Sequence, residues 1–193
     1  FLVRNNSNDY IRNNWGFKKM KRLVLILPII SVLVIATICL IFLLQKKDIS
    51  TPPSALINKK IPEFSMNSLD NNIEVFSQKN LENKYVLINF FASWCIPCKE
   101  EHDVLVNFRN SNSNVFLLGV NHKDKINDAI DFLKQNGNPY NFVGVDQNGM
   151  IGLDFGVFGL PETFLVNSDG IIVYKHLGPL TEKIVKNEIL PLL

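Results

Sequence analysis

Two cysteines separated by two residues are the side chains in this sequence best suited to chemistry. Cys95 and Cys98 follow the apolar run YVLINFF at residues 85–91 and stand at the start of a segment with helical spacing. A two-residue gap at a helix start brings both sulfurs within bonding distance and leaves the first thiol over the unpaired N–H groups and positive dipole end of the helix. Because this environment stabilises a thiolate, the spacing predicts Cys95 as the nucleophile and Cys98, more buried along the helix, as the resolving thiol of a redox disulfide.

Other uses of such a pair remain open but fit the sequence less well. A structural disulfide across two residues would close a loop too short to contribute much loop entropy. A zinc site needs two further ligands, and the histidines form no second paired motif. Covalent haem attachment needs a histidine where Lys99 stands, and a Cu(I) site needs a methionine or histidine nearer than His102, one helical turn on. We therefore predict thiol–disulfide exchange, with no bound metal and no cofactor.

Alternating strand and helix patterns surround the cysteine pair. Residues 85–91 and 115–120 are near-continuous apolar runs, typical of central strands covered on both faces. A turn signal at residues 168–170 joins two further strands into an antiparallel hairpin, and Thr181 is placed to cap the last helix. The predicted strands are residues 73–76, 85–91, 115–120, 163–167 and 171–175, and the predicted helices are residues 98–109, 124–135 and 181–190. This order predicts an α/β fold with a central mixed β-sheet flanked by helices.

The charges divide the chain into three regions. Residues 1–22 carry six basic side chains and one acidic side chain, residues 23–44 carry none, and the remainder carries 14 basic and 17 acidic side chains. The net charge of +2 therefore combines a basic flank, a neutral segment and a mildly acidic domain. Because the domain is not basic, the sequence excludes a nucleic-acid-binding protein.

The neutral segment at residues 23–44 is long enough to cross a membrane. Its 22 residues would extend about 33 Å as a helix, against a hydrocarbon core of about 30 Å. A cleaved signal peptide would have a shorter apolar region and a small-residue cleavage site, which this segment lacks. We therefore predict an uncleaved transmembrane anchor, in which Ser31 and Thr37 bond back to the helix backbone and Cys39 is a small apolar side chain.

The flanks of this segment predict its orientation. Four cations crowd its N-terminal side, whereas two cations and an adjacent acid follow it, so the N-terminus is expected in the cytoplasm. Met20-Lys21-Arg22 directly before the apolar run resembles a natural start, and we expect residues 1–19 to be absent from the native protein. Without them the charge bias is marginal, and the orientation rests on the redox chemistry predicted for the cysteine pair. The expected organisation is a cytoplasmic flank (1–22), a transmembrane anchor (23–44), a linker (45–60) and an exported domain (61–193).

The residues around the cysteine pair resemble a known family. NFFASWCIPC at residues 89–98 is similar to the active-site strand and helix start of thioredoxin-fold proteins. The likeness narrows to the membrane-tethered thiol:disulfide interchange proteins of cytochrome c biogenesis, the DsbE/CcmG family. The segments that carry it are KEEH (99–102), GNPY (137–140), GVFGLPET (156–163) and GII (170–172). The likeness covers about residues 20–193, anchor included, and GVFGLPET is its most specific part.

This resemblance implies a thioredoxin-like fold with an addition before the first core strand, and a reductase on the periplasmic side of a bacterial inner membrane. The implied substrates are the haem-binding CxxCH cysteines of apocytochrome c, or those of a partner thiol protein, which are kept reduced for haem ligation. Electrons would come from a membrane thiol carrier of the DsbD/CcdA kind. A general exported thioredoxin-like reductase and, less favoured, a Cu(I)-binding module remain the alternatives.

The same resemblance implies a substrate groove beside the disulfide. Leu160-Pro161 matches a loop with a cis proline, which leaves an exposed edge for an extended substrate strand; the alternative for Pro161 is an ordinary turn proline. Trp94 is expected to cover the flank of the disulfide, and the alternative for Trp94 is packing in the core. Glu162 matches an acidic residue of this groove, where its charge would raise the pKa of the Cys95 thiol. The alternative for Glu162 is a solvated loop carboxylate.

Two further positions bear on the proton of the resolving thiol. Glu101 is three residues after Cys98, so it either approaches the buried thiol as a proton acceptor or lies on the helix surface. Thioredoxins carry a buried aspartate six residues before the first cysteine, but this sequence has Asn89 there, which cannot accept a proton. We therefore expect the proton of Cys98 to move through Glu101, Glu162 or water.

Overall fold

The computed structural model describes residues 27–41, 55–70 and 75–193. The predicted cytoplasmic flank, both ends of the predicted anchor and most of the predicted linker lie outside the described residues, as do residues 73 and 74 of the first predicted strand. The chain divides into two units, Phe1–Ser50 and Thr51–Leu193, and the second unit contains the cysteine pair.

Residues 27–41 are helical and form helix α1. The Ser31 hydroxyl donates to the Pro28 carbonyl at 2.8 Å, and the Thr37 hydroxyl donates to the Leu33 carbonyl at 2.6 Å. These bonds confirm the predicted backward bonding of the two hydroxyl groups. Within the described ranges, none of the helices combines the length and the apolar character that a membrane crossing requires.

Seven strands of the described residues form one mixed sheet. They are β1 (Ser65–Ser68), β2 (Phe76–Ser77), β3 (Val86–Phe91), β4 (Phe116–His122), β5 (Phe142–Asp146), β6 (Glu162–Val166) and β7 (Ile172–Leu177), in the spatial order β2-β1-β5-β4-β3-β6-β7. Strands β3, β4 and β5 are parallel at the centre. On each side, the outer strands pair antiparallel with their neighbours. The predicted strand at residues 73–76 overlaps β2 only at Phe76.

Helices cover the sheet and close the chain. They are α2 (Ile96–Ser111), α3 (Ile126–Asn136), α4 (Met150–Asp154) and α5 (Glu182–Ile184), which continues as a π-helical turn (Val185–Ile189) and a 3₁₀ turn (Leu190–Leu192). A 3₁₀ turn at Gln78–Leu81 follows β2. The Thr181 hydroxyl accepts a hydrogen bond from Ile184 N at 3.3 Å, which confirms the predicted cap of the last helix.

Strand β3 shows how both faces of the sheet are covered. All of its residues are buried, and they alternate between two hydrophobic clusters. Leu87 and Phe91 point to the face packed by α2, α3 and the C-terminal helix, which we call the α2 face. Val86, Ile88 and Phe90 point to the opposite face. The predicted central strand, covered on both sides, is therefore confirmed, and its alternation decides which side chains can meet at the site.

Three elements were not predicted: the short strand β1, and the two elements β5 and α4. Strand β5 contains Gly144, where a Cβ would lie 1.7 Å from the Met66 sulfur, so a larger residue would require the buried Met66 side chain to move. Helix α4 is five residues long and is held by Asp146, whose carboxylate accepts hydrogen bonds from Ile151 N at 3.1 Å and Gly152 N at 2.9 Å. Both elements depend on tertiary contacts, which a local sequence pattern does not reveal.

Candidate active site

The cysteine pair lies at the junction of β3 and α2. Cys95 and Cys98 form a disulfide with an S–S distance of 2.06 Å, and Cys95 is the N-cap of α2. The Cys98 backbone N–H donates to the Cys95 sulfur at 3.2 Å, so the unpaired N–H groups of the helix do face the first cysteine. The exposed fractions are 4% for Cys95 and 3% for Cys98. Both cysteines are buried to nearly the same extent, so the deeper burial of Cys98 stays a prediction, whereas the predicted position of the pair at the helix start is confirmed.

A buried aspartate supports the loop that carries the disulfide. Asp124, at the end of β4, accepts hydrogen bonds from the Ser93 N–H at 2.6 Å and the Ser93 hydroxyl at 2.8 Å. It also accepts from the Asn121 amide at 2.9 Å and from Lys125 N at 2.8 Å. Asp124 was not predicted from the sequence. A usable signal was its position shortly after β4, an apolar strand that pairs with the strand leading to the cysteines.

We expect Asp124→Ala to lower the free energy of unfolding by about 2 kcal/mol, because it leaves several buried donors without an acceptor. Urea unfolding of the purified chain measures this loss. Asp128→Ala, at an exposed position in the first turn of α3, is the matched control and should change the stability by less than about 0.5 kcal/mol. Equal effects of the two substitutions would contradict a supporting role for Asp124.

The predicted groove residues lie at the same end of the sheet as the disulfide. The Leu160–Pro161 bond is cis, as the resemblance implies. Glu162, the next residue, pairs with Phe90 near the end of β3, and the chain runs from that end to Cys95. Leu160 is half-buried and Pro161 buried, so the loop borders the strand that leads to the cysteine pair.

Trp94 is exposed beside the disulfide. Its side chain is 59% exposed, and its indole N–H donates to the Lys123 carbonyl at 3.2 Å. This bond links the ring to the loop after β4. The position suits the predicted role at the flank of the disulfide, and contact with a substrate stays a prediction.

Glu162 is buried and points to the face opposite α2. One carboxylate oxygen accepts hydrogen bonds from Phe158 N at 2.7 Å and Gly159 N at 3.2 Å. The other lies 2.9 Å from Lys175 Nζ without the alignment of a hydrogen bond, so we describe that contact as an ion pair. Because the residue is 1% exposed, the solvated-carboxylate alternative is wrong. Glu162 supports the loop before Pro161, and its effect on the pKa of Cys95 stays a prediction.

Glu101 lies in a buried polar network on the α2 face. It is 0% exposed, so the alternative of a surface helix residue is wrong. One carboxylate oxygen accepts from the Asn89 amide at 2.8 Å, and the other accepts from Leu180 N at 2.7 Å. The pKa of Glu101 is raised from 4.5 to about 7, because the effect of burial, which raises it, exceeds the effect of the two hydrogen bonds, which lower it. A carboxyl that titrates near neutrality, one helical turn from Cys98, is suited to accept and return a proton.

The described residues offer no cluster of three or more histidine, cysteine, aspartate or glutamate side chains arranged to hold a metal ion. His102, the nearest histidine to the pair in sequence, has its Nε2 2.8 Å from the Gly137 carbonyl and packs edge-on against Phe132. The His102 ring thus contacts Phe132 of α3 and the backbone of the turn that follows this helix.

Comparisons with known proteins agree with this geometry. The family described as Redoxin matches residues 56–189. The chain is 42% identical over 177 residues to the thiol:disulfide interchange protein DsbE of Escherichia coli, covering 90% of this chain and 95% of that protein. It is 38% identical to the thiol:disulfide interchange protein HelX of Rhodobacter capsulatus over 79% of this chain and 85% of that protein.

A solved structure shares the fold and the activity class. A secreted thiol-disulfide isomerase from Corynebacterium glutamicum matches with a TM-score of 0.61 and 26% identity, over 68% of this chain and 84% of that chain. The family match, the sequence relatives and the disulfide at the start of α2 all indicate a thiol:disulfide oxidoreductase that works through Cys95 and Cys98. The chain therefore belongs to the Redoxin family and, within it, to the DsbE-type thiol:disulfide interchange proteins.

Proposed function

We propose that this protein is a membrane-anchored reductase that keeps the CxxCH cysteines of apocytochrome c, or those of a partner thiol protein, reduced for haem ligation. The observation that carries the proposal is the 42% identity to a DsbE protein over nearly the whole length of both chains. The segment GVFGLPET, the most specific part of the family resemblance, forms the loop before β6 and the first two residues of that strand.

The first step of the proposed reaction is an attack on a substrate disulfide. The Cys95 thiolate, stabilised by the N–H groups at the start of α2, attacks one substrate sulfur and forms a mixed disulfide with it. The second substrate sulfur leaves as a thiolate and takes a proton from water. The substrate binds as an extended strand along Leu160 and Pro161, with Trp94 on the other flank.

The second step releases the substrate. Cys98 gives its proton to the Glu101 carboxylate, and the resulting Cys98 thiolate attacks the Cys95 sulfur of the mixed disulfide. The remaining substrate sulfur leaves and receives a proton, which Glu101 returns through water. Two electrons have then passed from the Cys95/Cys98 dithiol to the substrate disulfide, and a membrane thiol carrier of the DsbD/CcdA kind restores the dithiol.

The proposed location follows from the sequence outside the redox domain. The neutral segment at residues 23–44 anchors the chain in a bacterial inner membrane by a single crossing. The basic flank that precedes the anchor remains in the cytoplasm, the linker at residues 45–60 spaces the domain from the bilayer, and residues 61–193 work in the periplasm. In that compartment disulfides form readily, so cysteines awaiting haem need a dedicated reductant.

The proposed partner is tested by trapping with Cys98→Ser in native membranes. This variant forms the mixed disulfide through Cys95 but lacks the thiol that resolves it, so we expect it to accumulate a covalent complex with apocytochrome c or a cytochrome c maturation thiol protein. Mass spectrometry of non-reduced complexes identifies the partner.

The double variant Cys95→Ser/Cys98→Ser is the matched control and should capture nothing. Capture of unrelated exported proteins by Cys98→Ser would favour a general reductase and would contradict the dedicated role in cytochrome c maturation.

A further inference from the structure

Tyr140 belongs to the buried network around Glu101, yet neither step of the exchange reaction requires it. Its hydroxyl donates to the Asn89 side-chain carbonyl at 2.7 Å. The Asn89 amide nitrogen in turn donates to Glu101 at 2.8 Å and to the Thr163 hydroxyl at 3.0 Å. The acceptor and both donor hydrogens of the Asn89 amide are thus used at once.

We propose that Tyr140 is a positioning residue, which fixes the Asn89 amide with its N–H group toward Glu101 and thereby keeps Glu101 ready to accept the proton of Cys98. The proposal deepens the proposed function and rests on the role of Glu101 stated there. In this proposal Tyr140 acts on the Glu101 carboxylate through the hydrogen bonds of the Asn89 amide. Asn89 itself cannot take the proton, because an amide is not a base at neutral pH.

The orientation of the amide follows from its partners. An ionised carboxylate only accepts hydrogen bonds, so the Asn89 nitrogen, and not its oxygen, must face Glu101. This leaves the Asn89 oxygen on the side of Tyr140, where the hydroxyl is placed to donate. Hydrogen bonds in series polarise one another, so the Tyr140 bond strengthens the donation from Asn89 to Glu101. A stronger donor favours the charged form of the carboxylate and opposes the effect of burial.

The ring of Tyr140 is fixed by its surroundings. It stacks on Phe91 with ring centroids 5.0 Å apart and an interplanar angle of 21°. On another side it lies against Gly119 of β4, where a Cβ would stand 2.8 Å from the ring. The aromatic ring therefore needs no hydroxyl to keep its place, and Tyr140→Phe removes the hydrogen bond while retaining the packing.

The hydroxyl of Tyr140 stays protonated under physiological conditions. Burial raises the pKa of Tyr140 well above its ordinary value, and the negative charge of Glu101 raises it further. The Glu101 carboxylate accepts hydrogen bonds from the Asn89 amide of β3 and from the Leu180 N–H, and neither donor titrates. The Cys98 thiol, one helical turn earlier on α2, does not titrate in the disulfide form, and Tyr140 stays protonated. The protonation of Glu101 in the oxidised protein thus reports on its hydrogen bonds.

The test measures the pKa of Glu101 directly in the oxidised full-length chain in detergent. Glutamate labelled with ¹³C at the side-chain carboxyl gives one titrating signal per residue, and Glu101→Gln identifies the signal of Glu101. We expect Tyr140→Phe to shift the midpoint upward by about 0.5 to 1 pH unit, the size expected for one hydrogen bond. The midpoint of the exchange rate against pH should move by the same amount, with an unchanged plateau at high pH.

Two comparisons separate positioning from packing. Tyr174→Phe likewise removes one tyrosine hydroxyl hydrogen bond, in this case to the Glu188 carboxylate at 2.6 Å, and should leave the titration of Glu101 unchanged. Asn89→Leu removes the amide, and adding Tyr140→Phe to it should give no further shift, because the tyrosine acts through Asn89.

An unchanged titration midpoint of Glu101 in Tyr140→Phe would overturn the proposal. It would also be overturned if Tyr140→Phe shifted this midpoint equally in the unaltered chain and in the Asn89→Leu variant. The titration requires neither a partner nor turnover. Failure to trap apocytochrome c would therefore contradict the proposed function and leave this result standing.

Discussion

Replacing Cys95 with serine is expected to lower the rate of disulfide reduction by at least about a thousandfold, because the hydroxyl of serine is hardly ionised at neutral pH and is a poor nucleophile toward sulfur. The Cys98 N–H donates to the Cys95 sulfur, which marks this sulfur as the one whose negative charge the start of α2 stabilises. Single-turnover reduction of a disulfide-bonded CxxCH peptide by the full chain measures the loss.

The matched variant is Cys98→Ser, which alters the other sulfur of the same disulfide. It should form the mixed disulfide with the peptide at a rate within about tenfold of the unaltered chain, and then fail to release it. Formation of the mixed disulfide by Cys95→Ser, but not by Cys98→Ser, would reverse the assigned roles. The two cysteines are buried to nearly the same extent, which makes this comparison necessary, because exposure alone does not distinguish them.

The sequence predicted the parts of the fold that depend on local patterns. Each of these parts has a signal within a few neighbouring residues. An apolar run indicates the central strand β3, turn residues indicate the hairpin of β6 and β7, and a hydroxyl before the last helix indicates the cap at Thr181. The position of the disulfide at the start of α2 follows in the same way. Strand β5 was missed because Gly144 breaks the apolar pattern, and the close packing of Gly144 against Met66 involves a residue far away in the sequence.

The candidate site was predicted less completely, for a reason that Glu101 and Glu162 illustrate. Both carboxylates were expected near the cysteines, and both are buried. Alternation along β6 places Thr163 on the α2 face with Asn89, whereas Glu162 points to the opposite face and pairs with Lys175. The partners that make each burial tolerable come from distant segments, so the sequence motif alone does not reveal them.

The two carboxylates are therefore expected to contribute differently. Glu162 is held by Phe158 N, Gly159 N and Lys175, so its main effect is on the loop before Pro161. Glu101 accepts one hydrogen bond on each oxygen and has a pKa of about 7. Of the routes predicted for the Cys98 proton, the one through Glu101 has the more suitable geometry.

Glu101→Gln is expected to slow the release of substrate from the mixed disulfide by about a hundredfold at pH 8, since glutamine cannot accept the Cys98 proton and a positioned general base contributes about this much. In the unaltered chain the release rate should rise with pH through about 7, where Glu101 ionises. This rise should be absent in the variant. Stopped-flow measurement of release between pH 6 and 8.5 tests both points, with Glu100→Gln, an exposed neighbour on α2, as the matched control.

The same substitution should change how stability depends on pH. Folding raises the pKa of Glu101 from 4.5 to about 7, so ionising it costs more in the folded chain than in the unfolded chain. The cost is absent below pH 4.5, grows as the pH rises toward 7 and then stays constant at about 3 kcal/mol. Glutamine carries no such cost, so the stability of Glu101→Gln relative to the unaltered chain should improve by about 3 kcal/mol between pH 4.5 and pH 8. Urea unfolding at these two pH values gives the difference directly, and a relative stability independent of pH would show that Glu101 does not titrate in the buried network.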